Sequence, residues 1–420
     1  MRFALTLGLA AATILGSCGR GAPGVPDAAP AGSAAPAVAA GAPDASELAP
    51  TNDGVNAANG LDGEIEMLEA RLAGAPDWLL AGPTLIARLE TRAAARSSAA
   101  DRARALTLAD AWLKDSPGEP RALAARGAAR AAVHLYVLAL ADLDAAAAKG
   151  ADVRVARASI LLALGRWPEV EAILAKADGK VPGLDVVQAG LLAEQGKLDE
   201  ADVIFRRAAK TLRTTSPHGL ASILFQHGVV LEQGGRPAQA KARYQLALAR
   251  LPGFVPGIVH LAGIAIAEKD AARAEALTAA VGTSSDDPEV LAVRAEALRA
   301  LGRATDAAPL IDQARARIEA AVAAQPEATA AHAARFYAGI GEDPAKALAH
   351  ARRAWTSTRA PEAAALVLRI ALDQADVATA CKLLAESAAL PDAVSLRVAR
   401  ERARAACPAP KTKAQAKPKK

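Results

Sequence analysis

Several residue types are scarce in this 420-residue sequence, and each shortage removes a class of function. Aromatic residues are 3% of the chain, β-branched residues are sparse and alanine is the commonest residue. Strand propensity is therefore low and helix propensity high almost throughout. The six histidines, His134, His218, His227, His260, His332 and His350, form no i, i+4 pair and no HExxH, so no helical zinc site is expected. No GxSxG elbow offers a hydrolase nucleophile. Gly190 and Gly196-Lys197 imitate a phosphate loop, but five residues separate the glycines where four are needed, and Leu198 replaces the Mg²⁺-binding hydroxyl. Asp142 and Asp144 lie two apart, on different sides of a helix, and read as solvated charges. The net charge of +5 is matched by five lysines, Lys411, Lys413, Lys417, Lys419 and Lys420, leaving a neutral body and no basic face for nucleic acid. The expectation is a chain that is not an enzyme and holds no cofactor and no metal.

Long apolar runs are missing too. The N-terminus has one cation, Arg2, then thirteen uncharged residues from Phe3 to Leu15, too few to span a bilayer and suited to a signal sequence. The run closes on Leu15-Gly16-Ser17-Cys18, which resembles a bacterial lipobox. That resemblance implies cleavage before Cys18, lipidation of its thiol and a periplasm-facing membrane lipoprotein. By the enterobacterial rule, Gly19 after the cysteine favours the outer membrane over the inner. Residues 18–60 are Gly, Ala, Pro, Ser, Asp and Asn with almost no large apolar side chain, and read as a disordered tether. Its mean reach is roughly 35–40 Å. Residues 408–420 read as a disordered Lys-rich tail, either solubilising or in contact with an anionic envelope polymer.

Between these ends a small residue recurs: Ala105, Ala139, Val170, Ala201, Ala240, Ala274, Ala307, Ala347 and Ala380, separated by 34, 31, 31, 39, 34, 33, 40 and 33 residues. The stretch 221–254 gives the fullest unit, with Gly228, Leu231, Gly235, Ala240, Tyr244, Ala247 and Pro252. This pattern resembles the tetratricopeptide repeat (TPR), in which the recurring small residue is where a unit's two helices approach closest. The stretch around Ala347 leans toward the related Sel1-like repeat. Gly165, Gly196, Gly235 and Gly302 stand where a first helix should end, and Pro217, Pro288, Pro326 and Pro361 where a helix should begin. The expectation over 61–407 is an all-α, right-handed TPR-like solenoid of eight or nine helix-turn-helix units. A C-terminal cap helix follows, with Val394, Val398 and Ala405 on one face.

The resemblance also implies a concave groove lined by the first helix of each unit. Carried over, its positions are Val155, Ser159 and Leu162; Val186, Gly190 and Glu194; Phe225, Val229, Glu232 and Gln233; and Val259, Gly263 and Ile266. The groove would be apolar with an acidic edge and would take an amphipathic helix or apolar peptide of a protein partner; alternatively these side chains pack against neighbouring units. Asparagine occurs at residues 52, 56 and 59 and nowhere later, so an asparagine ladder or a Lys/Asn carboxylate clamp cannot be built. The function expected is a membrane-anchored scaffold in envelope assembly. The alternative is a structural tether working through the tail. Cys381 and Cys407 flank a turn at Pro391 and are expected to form a disulfide in an oxidising compartment, the other reading being two small buried hydrophobes.

Overall fold

The computed structural model describes residues 48–74, 77–177 and 181–407, and all regular structure among them is helical. Cys18, most of the expected tether and the lysine tail lie outside the described residues. A leading helix, α1 (Gly54–Gly74), precedes nine helical hairpins. They are α2 (Ala81–Arg96) with α3 (Ala99–Asp115), α4 (Pro120–Ala132) with α5 (Tyr136–Ala147), and α6 (Arg154–Ala163) with α7 (Trp167–Lys176). Then come α8 (Leu184–Glu194) with α9 (Leu198–Thr211), α10 (Pro217–Gln233) with α11 (Pro237–Arg250), and α12 (Val255–Ala267) with α13 (Ala271–Ala279). The last three are α14 (Pro288–Ala300) with α15 (Ala304–Ala324), α16 (Pro326–Ala338) with α17 (Pro344–Thr358), and α18 (Pro361–Asp373) with α19 (Val377–Glu386). A final helix, α20 (Val394–Ala406), closes the array. The molecule is an α-solenoid.

The punctuation of the sequence sets these boundaries. Pro217, Pro288, Pro326 and Pro361 are each the first residue of a helix, where the missing N–H costs nothing. Gly165, Gly196, Gly235 and Gly302 have φ of 71°, 84°, 76° and 76°, the left-handed turn that ends a first helix. The nine recurring small residues fall one per unit, each in the second helix, and every one is 0% exposed. A larger side chain at any of them would push the two helices apart.

The coil also closes on itself. After about five or six units, later units lie against earlier ones: α12 on α2, α10 on α1 and α20 on α8. Asp286, before α14, caps α3 from 187 residues away, its carboxylate accepting the Ala99 and Ala100 N–H groups at 2.7 and 2.9 Å. The fold also begins earlier than the sequence suggests. Residues 48–60 belong to the body: Ala49 is buried, its N–H donates to Ala209 O at 3.0 Å, and Asn52 N–H donates to Thr215 O at 2.7 Å. Their backbone hydrogen bonds tie them down, together with Leu48, which packs against the core of α9–α11.

At the other end, the cap helix buries Leu396, Arg400 and Ala403, whereas Val398 is exposed. Arg400 wins a core position because its guanidinium donates to the carbonyls of Ser387, Leu390 and Pro391 in the preceding loop. Cys381 and Cys407 are brought together as a disulfide with a Cα–Cα distance of 5.6 Å.

Candidate functional site

The residues assigned to the groove sit on first helices, but the closed coil changes what they do. Leu162, Val186, Gly190, Phe225, Val229 and Val259 are buried, and Val155, Ser159, Glu194, Glu232, Gln233, Gly263 and Ile266 are half-buried; none is exposed. An open apolar groove along the central units is therefore not what these positions form. Phe225 packs against Tyr244, Phe254 and His260 with ring centroids 5.1–5.7 Å apart. Val186 and Val229 share a core with Ala95 of α2, which belongs to the facing turn. Val259 packs with Val290 and Val293 of the next unit. Glu232 points inward, its Oε2 accepting from the Tyr244 hydroxyl at 2.8 Å and lying 2.8 Å from His260 Nδ1. Gly228 makes room for this network, because a Cβ there would lie 2.3 Å from the Tyr244 ring.

Three of the predicted residues do converge. Leu162, Glu194 and Gln233, from three consecutive units, line a cavity of about 90 Å³ where those units face α16, α18 and α20. The opposite wall carries His332 and Arg335 of α16, Glu362 of α18 and Ser395 of α20, and His134 and Tyr136 close one end. Several of the polar groups pair with one another, while the buried Arg335 Nε has no partner among the described residues. His134 Nδ1 lies 2.8 Å from the Tyr136 hydroxyl, and its Nε2 lies 3.3 Å from His332 Nε2 across the turns. Arg335 donates to Glu362, and the Ser395 hydroxyl donates to Glu194 at 3.1 Å.

Electrostatics follow from this enclosure. Burial pushes the His134 imidazole down to about 4, with the Arg102 and Arg335 guanidiniums adding to the effect. Burial likewise holds His332 well below the usual histidine range, helped by His134, Arg335 and Arg102. Both rings are therefore neutral near pH 7, so one can donate to the other. Burial raises the Glu194 carboxyl despite its bond from Ser395, and raises Glu362 despite Arg335 and Arg369. Such groups, perturbed and convergent on one cavity, mark a candidate binding site.

Sequence reasoning missed His134, His332, Arg335, Glu362 and Ser395 because the His134–His332 and Glu194–Ser395 contacts cross about two hundred residues of chain, and the Arg335–Glu362 pair joins two successive units. His134 adopts φ 62° in its hairpin turn, as Ser97, Lys269, Glu342 and Ala375 do in theirs, so the turn conformation does not single it out.

Asp142 is a second correction. It is buried rather than solvated, held by Arg126 through both oxygens at 2.7 and 2.9 Å and by Arg130 at 2.7 Å. Asp144, on the other side of the helix, pairs with Arg157 at 2.7 Å.

No known protein family matches the sequence, and no curated protein matches it. Solved structures similar to the fold are helical-repeat proteins of the TPR type. They include the APC/C hetero-tetramer Cut9–Hcn1, at 15% identity over 78% of this chain and 63% of that one, with a TM-score of 0.43. Human IFIT1, crystallised as a dimer with PPP-AAAA, is 15% identical over 77% and 72% of the two chains, with a TM-score of 0.38. Yeast Tom70 is 16% identical over 79% and 65%, with a TM-score of 0.31. The likeness is architectural, and none of these proteins lends its function to this one.

Proposed function

We propose that this chain is a membrane-tethered solenoid scaffold that holds a protein partner by an apolar contact at its N-terminal end. The observation that carries the reading is the turn entering α2. Leu79 and Leu80 are adjacent and 85% and 61% exposed, and the turn that presents them is firmly held. Asp77 Oδ1 accepts both their N–H groups at 3.2 and 3.1 Å. Between them and Asp77, the Trp78 indole stacks on Trp112 at 6.2 Å and donates to Asp115 at 2.8 Å. A rigid turn that displays two leucines to water is stabilised by covering them, and an amphipathic helix of a partner is the occupant that fits a two-residue apolar knob.

The lipobox-like Leu15-Gly16-Ser17-Cys18 adds the membrane. In this reading an acyl chain on Cys18 anchors a tether that leads into the solenoid at residue 48. An outer-membrane assembly complex is the setting we favour.

A photo-crosslinking residue placed at position 79 of the full chain, in bacterial membranes, tests the reading. One discrete protein adduct is expected, and it should disappear when Leu80→Asp is added. The same adduct from a crosslinker at the exposed surface residue Val203 would mean nonspecific proximity and would overturn the Leu79-Leu80 contact. Cys18→Ala should move the protein from the membrane to the soluble fraction; unchanged fractionation would remove the anchor from the proposal.

A further inference from the structure

We propose that the inter-turn cavity is a binding site for a small organic cation, whose ammonium group pairs with Glu194. Three carboxylates line the cavity, Glu194, Glu327 and Glu362, against a single guanidinium, Arg335, which is already engaged by Glu362. The two histidines add no charge near pH 7. A cation is the ligand that balances such a lining.

Geometry singles out Glu194. It sits at the end of α8 and accepts from Ser395, through the hydroxyl at 3.1 Å and through the backbone N–H. A half-buried carboxylate with no cation beside it is relieved by protonation or by a bound ammonium. The remainder of the wall is carbon-rich: Leu162, Trp167, Pro361 and Leu366 surround the polar end. Methylenes suit that wall.

Size and ligand chemistry narrow the class. About 90 Å³ has room for several waters, and so for a short alkyl amine, but not for a helix or a lipid chain. A metal ion is a poor fit, because no group of three metal-ligating side chains occurs among the described residues. The cavity exists only where the two turns of the coil meet, so a ligand there touches units far apart in sequence and fastens the coil.

Titration calorimetry on the intact chain at pH 7.5, with n-butylammonium as probe, gives the test. Saturable binding is expected, with no binding of butyrate. Glu194→Gln keeps the shape and the bond from Ser395 but removes the charge, and should weaken butylammonium at least ten-fold. Leu162→Trp fills the cavity and leaves Glu194 untouched, and should abolish binding while helix content is retained. Equal binding by wild type and Glu194→Gln, retained binding by Leu162→Trp, or preference for butyrate would each overturn the site. Nα-acetyl-lysine methylamide separates the sources of the cation: tighter binding than butylammonium assigns the site to a basic side chain, weaker binding to a free amine. Neither result touches the Leu79-Leu80 contact, whose crosslink is read separately.

Discussion

Cutting the Cys381–Cys407 bridge should free the C-terminal end of the solenoid and leave the rest folded. The bridge closes 26 residues, and the loop-closure relation gives about 3.5 kcal/mol for a loop of that length. Applied to local opening, that is roughly two to three orders of magnitude in the equilibrium for releasing α20. The released helix would expose Leu396 and Ala403 and withdraw Ser395 from Glu194. Hydrogen exchange of the α20 amides, followed by mass spectrometry on oxidised wild type and on Cys407→Ser, reads the change directly. Faster exchange is expected over 394–406 and not in α10 or α11. Arg400→Ala supplies the comparison: it removes the guanidinium's bonds to three loop carbonyls in the native state and leaves the loop constraint intact. If Cys407→Ser exchanges within two-fold of wild type while Arg400→Ala exchanges much faster, the native contacts alone hold α20 and the loop-closure reasoning is refuted.

Asp286→Ala should cost about 0.5–2 kcal/mol, the usual loss for a helix cap, and should speed exchange at the start of α3, 187 residues away; unchanged exchange there would deny the inter-turn cap. Gly228→Ala should cost roughly 1–3 kcal/mol through overpacking, with a change in tyrosine fluorescence as Tyr244 is displaced from Glu232. His134 and His332 stay neutral in the fold where the unfolded chain takes up protons, so their contribution is complete above about pH 6.5; that of His134 is lost as pH falls toward 4, and that of His332 is lost in the same direction. Glu289 and Glu296, each pushed up by burial to about 7, act oppositely and weaken the fold as pH rises from 4.5 through 7. The double change His134→Gln and His332→Gln should therefore flatten the acid limb of the thermal-stability profile; an unaltered limb would rule out the pair as its cause.

The repeat was legible because it is local. Ala240 and its eight counterparts recur at a spacing that hairpin geometry enforces, and burial of each follows from the closest approach of two helices. What escaped the sequence depends on side chains that satisfy polar groups at a distance. Arg400 takes a core position on account of carbonyls in another segment, so an apolar-stripe reading chose Val398 instead. Asp142 looked solvated because its partners, Arg126 and Arg130, sit on the preceding helix, 16 and 12 residues earlier. The cavity was hidden for a stronger reason. It arises from small rotations between successive units that accumulate until the coil meets itself, and no short window of sequence contains that sum.

Closure also changes how the solenoid should respond to its ligands. An open array is held by nearest-neighbour interfaces, so loosening one unit leaves distant ones unaffected. Here Asp286 reaches α3, Ser395 reaches Glu194 and His332 reaches His134, so separating the turns breaks all three contacts together. A cation bound between the turns favours the closed coil by its own binding free energy, and that effect is felt at both ends of the chain. The Leu79-Leu80 turn belongs to the same early unit as α3, which Asp286 caps. On these two proposals, cavity and partner contact would be coupled through a contact between turns, and Asp286→Ala is the substitution that should uncouple them while leaving the lining of each intact.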